Sequence, residues 1–426
     1  MKILHLVHAY YPAVGGSEYL MQQVSEYLAR EAGDDVTVFT TFAYNSGLFT
    51  NPKVQPMAAN KSEEVINHVK IKRFPVINRW AKLLYVIQYI LYRLRFPGNG
   101  FLRMLYYGPI SPEMKKAAAE FEADVIVSAP FPLNHMNYGF KNRNKAPVVL
   151  VGCMHTADKH GFRNPRIGKM IHKADGYIAL TPHEKDFLVK QWGIDAGKIE
   201  VIGVGIDIRR PALKGIQVRK ELGIGGKDPV IAFVGQHGLH KGIDTLIRAM
   251  PEVWGKFPNT RLIIAGGTTP FTDRFKYQAQ MIELAMRASL FTDDHVPPRL
   301  PGRIHFIDNV DENKKYQILE ACDIFASPSG FESFGITILE AWSKKKPVVV
   351  CNIEVSQNLV QDGETGFLVE YKNIPQLAET LRRLIENPGL RKEIGEKGFQ
   401  TLKKNYSQEM VGKKYREFYK KFMKND

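Results

Sequence analysis

Short runs of apolar, often β-branched residues alternate with longer segments of helical periodicity along the whole chain. Runs of this length and composition are typical of buried parallel strands. In the first half of the chain they are Ile3 to Val7, Val36 to Thr40, Val125 to Val127, Val148 to Val151 and Tyr177 to Leu180. In the second half they are Val230 to Val234, Arg261 to Ala265, Ile304 to Ile307, Ile324 to Ala326 and Pro347 to Val350. The alternation predicts an α/β protein with two strand-helix series.

The segment Val201 to Gly226 separates the two series, and its glycines together with Pro211 are typical of a hinge. We place the boundary near Asp207, which predicts two doubly wound domains facing one another. Ligands in such sheets lie beyond the carboxyl ends of the strands, so we expect the site in the cleft between the domains. Thr268 to Gly302 is an expected insertion, partly helical around Tyr277 to Leu290.

Composition narrows the class of protein and its partners. The 426 residues are two to three times the usual domain length of about 150. Lys and Arg total 59 against 44 for Asp and Glu, which predicts attraction to phosphate, anionic lipid or an acidic polymer. Three widely separated cysteines exclude a disulfide framework and fit a reducing, cytoplasmic setting. With no signal peptide and no apolar run of about 20 residues, we expect a soluble or peripheral protein.

Gly15 and Gly16 lie between the first predicted strand and a helix predicted over Tyr19 to Arg30. A glycine turn lets the backbone approach a ligand closely, and the amides at the start of a helix favour an anionic group. An ordinary tight turn between strand and helix is the alternative.

Two glutamates eight positions apart follow the strand Ile324 to Ala326. Glu332 lies in the loop that leaves this strand, and Glu340 lies inside a helix predicted to begin near Phe334. The amides at this helix start can bind a diphosphate, with a carboxylate on either side for sugar or ribose hydroxyls. They belong to Gly335, Ile336 and Thr337. The alternative is a glutamate that stabilises the helix and a second one at the surface.

A lysine and a histidine follow two other predicted strands. Lys241 lies in the loop after Val230 to Val234, where a lysine can neutralise a phosphate, although most exposed lysines have no such role. His155 follows Val148 to Val151 and could donate a hydrogen bond to a phosphate or a sugar hydroxyl, a structural histidine being the alternative. The histidine spacing does not match a zinc motif, so we expect no metal.

Taken together, these features resemble the retaining glycosyltransferases of family 4, which have the GT-B fold of two Rossmann-like domains. The resemblance depends on Glu332-Ser333-Phe334-Gly335 and Glu340-Ala341, which match the family's glutamate, seven residues, glutamate signature. It is supported in the same chain order by the Gly15-Gly16 turn, by Gly205-Ile206-Asp207, by Lys241-Gly242 and by Asp362 to Val369.

The resemblance implies three segments: an acceptor-binding domain over 1–206, a nucleotide-sugar-binding domain over 207–405, and a helix over 406–426 that crosses back to the first domain. It places Glu332 near the donor sugar, Glu340 on the ribose, and Lys241 on phosphate. The remaining donor-binding residues are expected to be Gly16, Gln236, Val310, Phe334, Gly335, Ile336 and Thr337. His155 corresponds to the family's histidine at the acceptor side of the cleft.

The chain departs from the family at Gly235-Gln236-His237, where the family usually has glycine, arginine and leucine. One of two cations on the diphosphate is therefore missing. His237, His240 or an arginine from the insertion over 268–302 could replace it.

The implied reaction transfers a sugar from a nucleoside diphosphate sugar to an acceptor hydroxyl with retention of configuration, without a metal or another cofactor. The charge of the leaving group would be neutralised by Lys241 and by the amides at the helix start. An epimerase acting on nucleotide sugars and a nucleotide-binding scaffold without activity are the alternatives.

The segment Lys70 to Arg103 contains eight basic residues and no acidic one, and within it runs the apolar stretch Leu83 to Tyr92. Such a helix is too short to span a bilayer but is suited to its interface. We expect docking on the inner face of an anionic membrane, with a membrane-associated glycolipid or polysaccharide precursor as acceptor. The alternative is a core helix with solvated ends. The sequence contains no nucleic-acid recognition motif, so we expect no nucleic-acid partner.

Overall fold

The computed structural model describes residues 1–13, 15–57, 62–96, 99–130, 133–142, 145–154, 164–209, 214–267, 280–281, 284, 303–308 and 310–423. The chain divides into two compact units. One consists of Met1–Asp207 together with Ser407–Asp426, and the other of Ile208–Tyr406. His155 and most of the expected insertion, including nearly all of its predicted helix, lie outside the described residues.

The first unit contains an eight-stranded sheet in the order β3-β4-β2-β1-β5-β6-β7-β8, parallel except for the β3-β4 pair. Its strands are β1 Lys2–Val7, β2 Asp35–Thr41, β3 Glu63–Ile66, β4 Val69–Phe74, β5 Val125–Ala129, β6 Val148–Val151, β7 Gly176–Ala179 and β8 Ile199–Val201. The five predicted strands are confirmed, and β3, β4 and β8 were not predicted. In β4 buried residues alternate with Lys70 and Lys72, so the basic pattern concealed a strand.

The helices of the first unit connect these strands or lie beside them. They are α1 Gly16–Arg30, α2 Gly47–Thr50, α3 Ala81–Arg93, α4 Asn99–Tyr107, α5 Pro112–Glu120, α6 Pro165–Lys173 and α7 Pro182–Trp192. Three of them begin with proline after a residue whose side chain accepts a hydrogen bond from the first turn: Ser111, Asn164 and Thr181. Proline at this position and a polar cap before it together fix where a helix starts.

The second unit contains a parallel six-stranded sheet in the order β11-β10-β9-β12-β13-β14. Its strands are β9 Val230–Val234, β10 Arg261–Gly266, β11 Ile304–Asp308, β12 Ile324–Ser327, β13 Val348–Cys351 and β14 Phe367–Val369. All five predicted strands of this half are confirmed. In both sheets the chain winds outward from a central strand in one direction and then in the other. The strand order therefore reverses between β1 and β5 in the first unit and between β9 and β12 in the second.

Helices cover both faces of the second sheet. They are α8 Gly215–Glu221, α9 Ile243–Lys256, α10 Glu312–Ala321, α11 Ile336–Ser343, α12 Glu354–Leu359, α13 Ile374–Glu386 and α14 Pro388–Asn405. The core of this unit packs Leu246, Met250 and Trp254 of α9 against Ile231 and Phe233 of β9. The helix predicted to begin near Phe334 begins at Ile336.

The last helix, α15 Gln408–Lys420, belongs to the first unit. Its Tyr415 and Tyr419 are fully buried, and Arg416 Nε lies 2.8 Å from Asp34 Oδ2. The Gln408 side-chain amide donates to the Gln23 carbonyl on α1. The chain therefore returns to its first unit after completing the second.

Helix α3 presents most of its residues to solvent, since only Ala81 and Gln88 are buried. The alternative of a core helix, expected equally from the sequence, is wrong. Among the described residues, no helix combines the length and the apolar character needed to cross a bilayer.

Candidate functional site

The point where the strand order of the second unit reverses brings together a lysine and a glutamate that the sequence singled out. Lys241 follows β9 and Glu332 follows the neighbouring strand β12. Lys241 Nζ lies 2.7 Å from Glu332 Oε1, and the two side chains are 17% and 20% exposed. A charged pair that is only partly desolvated can exchange its internal contact for one with a ligand. This edge of the sheet is where doubly wound domains bind their ligands.

Close backbone contacts hold the two loops together. Gly242 has a φ of +67°, and a Cβ atom added to it would lie 2.2 Å from the Pro328 carbonyl oxygen. The Gly330 amide donates to the His240 carbonyl over 2.9 Å, and the Ser329 hydroxyl donates to the same oxygen over 3.3 Å. A larger residue at 242 would separate the loops that carry Lys241 and Glu332.

The amide end of α11 lies directly after Glu332 in the chain. Gly335 precedes the helix with a φ of +85°, and no side chain caps the helix start. Its neighbour Phe334 is buried, with its ring centroid 6.0 Å from that of Tyr406. Phe334 therefore anchors the turn, while Ile336 and Thr337 are half-buried in the first turn of the helix. An uncapped helix start of this kind favours an anion.

Glu340 is almost fully buried, 2% exposed, and its carboxylate contacts Lys315 Nζ on α10. Lys315 also lies 3.2 Å from Glu312 Oε2. Burial opposes the charge on Lys315, but Glu340 and Glu312 outweigh this effect and raise the pKa of Lys315 above its usual value. Lys315 was not expected from the sequence, because Lys314 and Lys315 look like any pair of lysines on a helix.

The structure distinguishes the residues considered as replacements for the missing arginine. Gln236 itself is exposed. His237 is buried, its backbone amide donates to the Gly267 carbonyl, and burial lowers the pKa of its imidazole. Desolvation and the charge of Lys241 lower the pKa of His240, whereas Glu332 raises it. Of the two histidines, His240 is thus the one whose pKa depends on the charges of Lys241 and Glu332.

Val310, expected beside a nucleobase, is half-buried two residues after β11. The insertion whose arginines were also considered lies mostly outside the described residues.

In the first unit, Gly16 is the first residue of α1, after the loop that follows β1. The turn before it is held by a buried pair, His8 Nε2 and Glu18 Oε1, 3.0 Å apart. The Ser17 hydroxyl donates to Glu18 Oε2, and a Cβ atom on Gly15 would lie 2.3 Å from that oxygen. Burial opposes ionisation of Glu18, but the interactions with His8 outweigh it and lower the pKa of Glu18.

In this turn the sequence pattern indicated the two glycines but not His8 and Glu18. A histidine and a glutamate flanking a glycine pair were the signal that could have indicated them.

The segment leading to His155 packs on a buried glutamate. Glu184 of α7 accepts hydrogen bonds from the Tyr177 hydroxyl at 2.6 Å and from the Leu180 amide at 2.9 Å. A Cβ atom on Gly152 would lie 1.8 Å from Glu184 Oε1. Burial raises the pKa of Glu184 to about 7. The geometry thus fixes the backbone at 152–154, and His155 itself lies outside the described residues.

No metal site was expected. Within the described part of the chain, no three histidine, cysteine, aspartate or glutamate side chains are grouped so that they could hold a metal ion.

Two family profiles match the chain in succession. Residues 14–210 match Glycosyltransferase Family 4, and residues 228–387 match Glycosyl transferases group 1.

Curated relatives include the D-inositol 3-phosphate glycosyltransferases of Rhodococcus jostii (strain RHA1) and Nocardia farcinica (strain IFM 10152). The first is 30% identical over 226 residues, which are 52% of this chain and 47% of the relative. The second is 31% identical over 281 residues, 60% of this chain and 59% of the relative. The chain thus matches about half of the length of these relatives.

Among solved structures, Anabaena Alr3699/HepE in complex with UDP and glucose superimposes with a TM-score of 0.72. The two sequences are 20% identical, and the match covers 98% of each chain. The same Anabaena protein has also been solved with UDP-glucose. At this identity the likeness establishes the fold. The chain is therefore similar to family 4 glycosyltransferases over its first half and to group 1 glycosyltransferases over its second, on a fold of two Rossmann-like domains.

Proposed function

We propose that this protein transfers a sugar from a nucleoside diphosphate sugar to an acceptor hydroxyl, with retention of the anomeric configuration. The observation that carries the proposal is the Lys241–Glu332 pair beside the uncapped start of α11, at the point where the strand order reverses. A cation and helix amides suit the negative charge of a diphosphate, and a carboxylate can accept hydrogen bonds from the hydroxyls of the attached sugar.

In the proposed reaction, the diphosphate lies against the amides at the start of α11 and Lys241 contacts its oxygens. The bond between the sugar C1 and the phosphate oxygen breaks, and the electron pair leaves with the nucleoside diphosphate. The acceptor oxygen forms a new bond to C1 on the same face, and its proton passes to the departing phosphate oxygen. Lys241 and the amides stabilise the charge that develops there. The reaction is proposed to need no metal or other cofactor.

The remaining residues have proposed roles around this centre. Glu332 accepts hydrogen bonds from sugar hydroxyls once Lys241 has turned to the phosphates, and Glu340, oriented by Lys315, accepts them from the ribose. The role proposed for Gly16 is contact with the donor phosphates, and the role proposed for His155 is contact with the acceptor. The second unit would bind the donor and the first unit the acceptor.

Uridine diphosphate sugars are the donors to test first, because the Anabaena protein has been solved with UDP and with UDP-glucose. The acceptor we propose is a membrane-associated glycolipid or polysaccharide precursor, modified by a peripheral enzyme at the inner face of the membrane. The support is the basic and apolar segment 70–103, whose helix α3 is exposed.

The test measures release of nucleoside diphosphate from a panel of nucleotide sugars, with membrane extract as the source of acceptor. The wild type is expected to turn over one donor in an extract-dependent way, and Glu332→Ala to lower this rate by about 100-fold or more. Glu379→Ala removes an exposed glutamate from α13 of the same unit and should leave the rate unchanged.

Conversion of the sugar without transfer would support the epimerase alternative. Absence of both turnover and nucleotide binding would support the scaffold and contradict the proposal.

A further inference from the structure

Exposed apolar side chains are concentrated in one segment of the first unit. Of the 18 large hydrophobic side chains that are exposed in the described residues, 12 lie within residues 77–101. They are Ile77, Trp80, Leu83, Tyr85, Val86, Ile87, Tyr89, Ile90, Tyr92, Leu94, Phe96 and Phe101. A patch of this density marks an interaction surface, since isolated apolar side chains are scattered on ordinary surfaces.

The helical geometry of α3 accounts for the patch. Ala81, Leu84, Gln88 and Leu91 recur at helical spacing and are its less exposed residues, so they form the face toward the protein. Eight of the 12 exposed side chains lie on the helix itself or at Trp80 just before it, from Trp80 to Tyr92. We call the surface formed by the 12 side chains the α3 face.

Of the eight basic residues of this segment, four have partners within the protein or are buried, and four are exposed near α3. Lys70, Lys72 and Arg73 lie on β4 and form ion pairs with Asp35, Glu63 and Glu64. Arg103 is buried, with its guanidinium 5.0 Å from the centre of the Tyr92 ring. Four cations remain at the two ends of α3: Arg79, Lys82, Arg93 and Arg95.

These four side chains are exposed, and no carboxylate in the described part of the chain forms an ion pair with any of them. Residues 70–103 contain no acidic side chain at all. The α3 face is therefore apolar in the middle and positive at its ends.

A groove of about 400 Å³ opens on the same side of the unit, between α2, α3 and α4. It is lined by Thr50, Ala81, Lys82, Tyr85, Val86 and Tyr106. Helix α2 follows the carboxyl end of β2, and α3 follows that of β4. The groove therefore lies on the side of the first unit to which the carboxyl ends of β2 and β4 point.

We propose that the α3 face docks on an anionic phospholipid bilayer, with the helix lying in the plane of the interface. A helix of 13 residues is about 20 Å long, which suits this position and is too short to span the membrane. Leu83, Val86, Ile87 and Ile90 contact acyl chains, the aromatic rings lie at headgroup level, and the four cations bind lipid phosphates.

The charge distribution favours a membrane over a protein as the partner. The α3 face has cations at both ends and no acidic residue, which complements the continuous negative charge of an anionic lipid surface. The inference rests on the proposed function, since it names the surface on which the acceptor reaches the groove.

Flotation of the full chain with vesicles tests the docking. Retention is expected on phosphatidylcholine vesicles that contain phosphatidylglycerol, weaker retention on phosphatidylcholine alone, and loss of the difference at high salt. The variant Arg79→Gln/Lys82→Gln/Arg93→Gln/Arg95→Gln is expected to bind anionic vesicles on the order of 100-fold more weakly. Its matched control, Lys392→Gln/Lys403→Gln/Lys404→Gln/Lys414→Gln, removes the same charge from exposed sites elsewhere and should bind as the wild type does.

The apolar part of the face is tested with Leu83→Ser/Val86→Ser/Ile87→Ser/Ile90→Ser, which should abolish retention on every vesicle. All four side chains are exposed, so the variant is expected to keep the wild-type Tm. Trp80, 54% exposed, supplies a direct signal: its fluorescence should shift to the blue on binding and be quenched by brominated lipids, and Trp80→Phe should lose this response.

Several outcomes would overturn the docking: no retention on anionic vesicles, equal loss in the charge variant and its control, or self-association abolished by the serine variant without any lipid binding. Flotation needs no donor and no turnover. Turnover of a nucleotide sugar without vesicle binding would therefore contradict the docking alone, and vesicle binding without turnover would contradict the proposed function alone.

Discussion

At the scale of single residues, Lys315 and Glu340 form a buried pair in which each charge depends on the other. Glu340 is 2% exposed, so removing Lys315 leaves a carboxylate without its cation in a desolvated site. Lys315→Met is expected to destabilise the second unit by about 3 kcal/mol, and the double variant Lys315→Met/Glu340→Gln to recover most of this loss. Urea unfolding followed by the fluorescence of Trp254 and Trp342, both buried in this unit, measures it.

The adjacent Lys314 supplies the matched control. It pairs with Glu221 near the surface, where both side chains are more exposed, so Lys314→Met should cost less than about 1 kcal/mol. Equal losses of stability for the two lysine variants would show that the buried Lys315–Glu340 pair contributes no more than the pair at the surface.

Glu184 predicts a pH dependence of stability in the first unit. Burial raises the pKa of this carboxyl from 4.5 to about 7, so the folded chain holds a proton there that the unfolded chain releases. The stabilisation is full below pH 4.5 and is lost as the pH rises through about 7. Glu184→Gln should match the wild type in acid and exceed it above pH 8, by up to about 3 kcal/mol.

Thermal unfolding across this pH range measures the difference between the two proteins. Asp186→Asn, at an exposed site on the same helix, should have nearly the stability of the wild type at every pH. A constant offset between Glu184→Gln and the wild type at all pH values would contradict a titrating Glu184.

The sequence could predict some residues of the candidate site and not others for a physical reason. Glu332, Glu340 and Lys241 lie in recognisable local patterns. Each follows a predicted strand or lies near a predicted helix start, and neighbouring residues are enough to predict where strands end and helices begin. The contact of Lys315 with Glu340 is made across space, and residue spacing does not encode it. His8 and Glu18 did leave a local signal, because they flank the glycine pair.

At the scale of elements, the loops after β9 and β12 can approach only because position 242 is glycine. Gly242→Ala introduces strain at a φ of +67° and a Cβ atom 2.2 Å from the Pro328 carbonyl. Strain and clash together should lower the free energy of unfolding by about 2 to 3 kcal/mol or more. Turnover should also be lost, because the Lys241–Glu332 geometry changes. Tm and nucleoside diphosphate release measure the two effects.

Gly223→Ala separates strain from clash. Its φ of +64° is nearly the same, but an added Cβ atom would meet nothing within 4 Å. It should cost about 1 kcal/mol and leave turnover intact. If Gly242→Ala behaves in the same way, the contact with Pro328 does not hold the loops.

Helices and strands could be predicted from the sequence where a single pattern of residues determines them. Strands buried on both faces, such as β1 and β9, are almost entirely apolar, with His5 as the one buried polar residue of β1, and both were predicted within one or two residues. Strand β4 was not predicted because its lysines made it look like part of the basic segment that contains α3. In the structure these lysines lie on the exposed side of the strand and pair with Asp35 and Glu63. The apolar residues of α3 could not show whether they face the core or solvent, since that depends on what packs against the helix.

At the scale of the whole molecule, the first unit is completed by residues that follow the second unit in the chain. Helix α15 buries Val411, Tyr415, Phe418 and Tyr419 there, and Arg416 pairs with Asp34. Burial of each such side chain contributes about 2 kcal/mol, so together they approach the whole stability of an ordinary domain. A chain ending at Tyr406 should therefore unfold its first unit and keep its second.

Hydrogen exchange followed by mass spectrometry reads the two units separately. In the truncated chain, amides of β1 and β5 should lose their protection while those of β9 and β12 keep it, because α15 belongs to the first unit. A chain ending at Met423 retains the helix and should be protected throughout. If β1 and β5 stay protected without α15, the buried tyrosines add little to the first unit, and the return of the chain would serve to link the units and not to stabilise one of them.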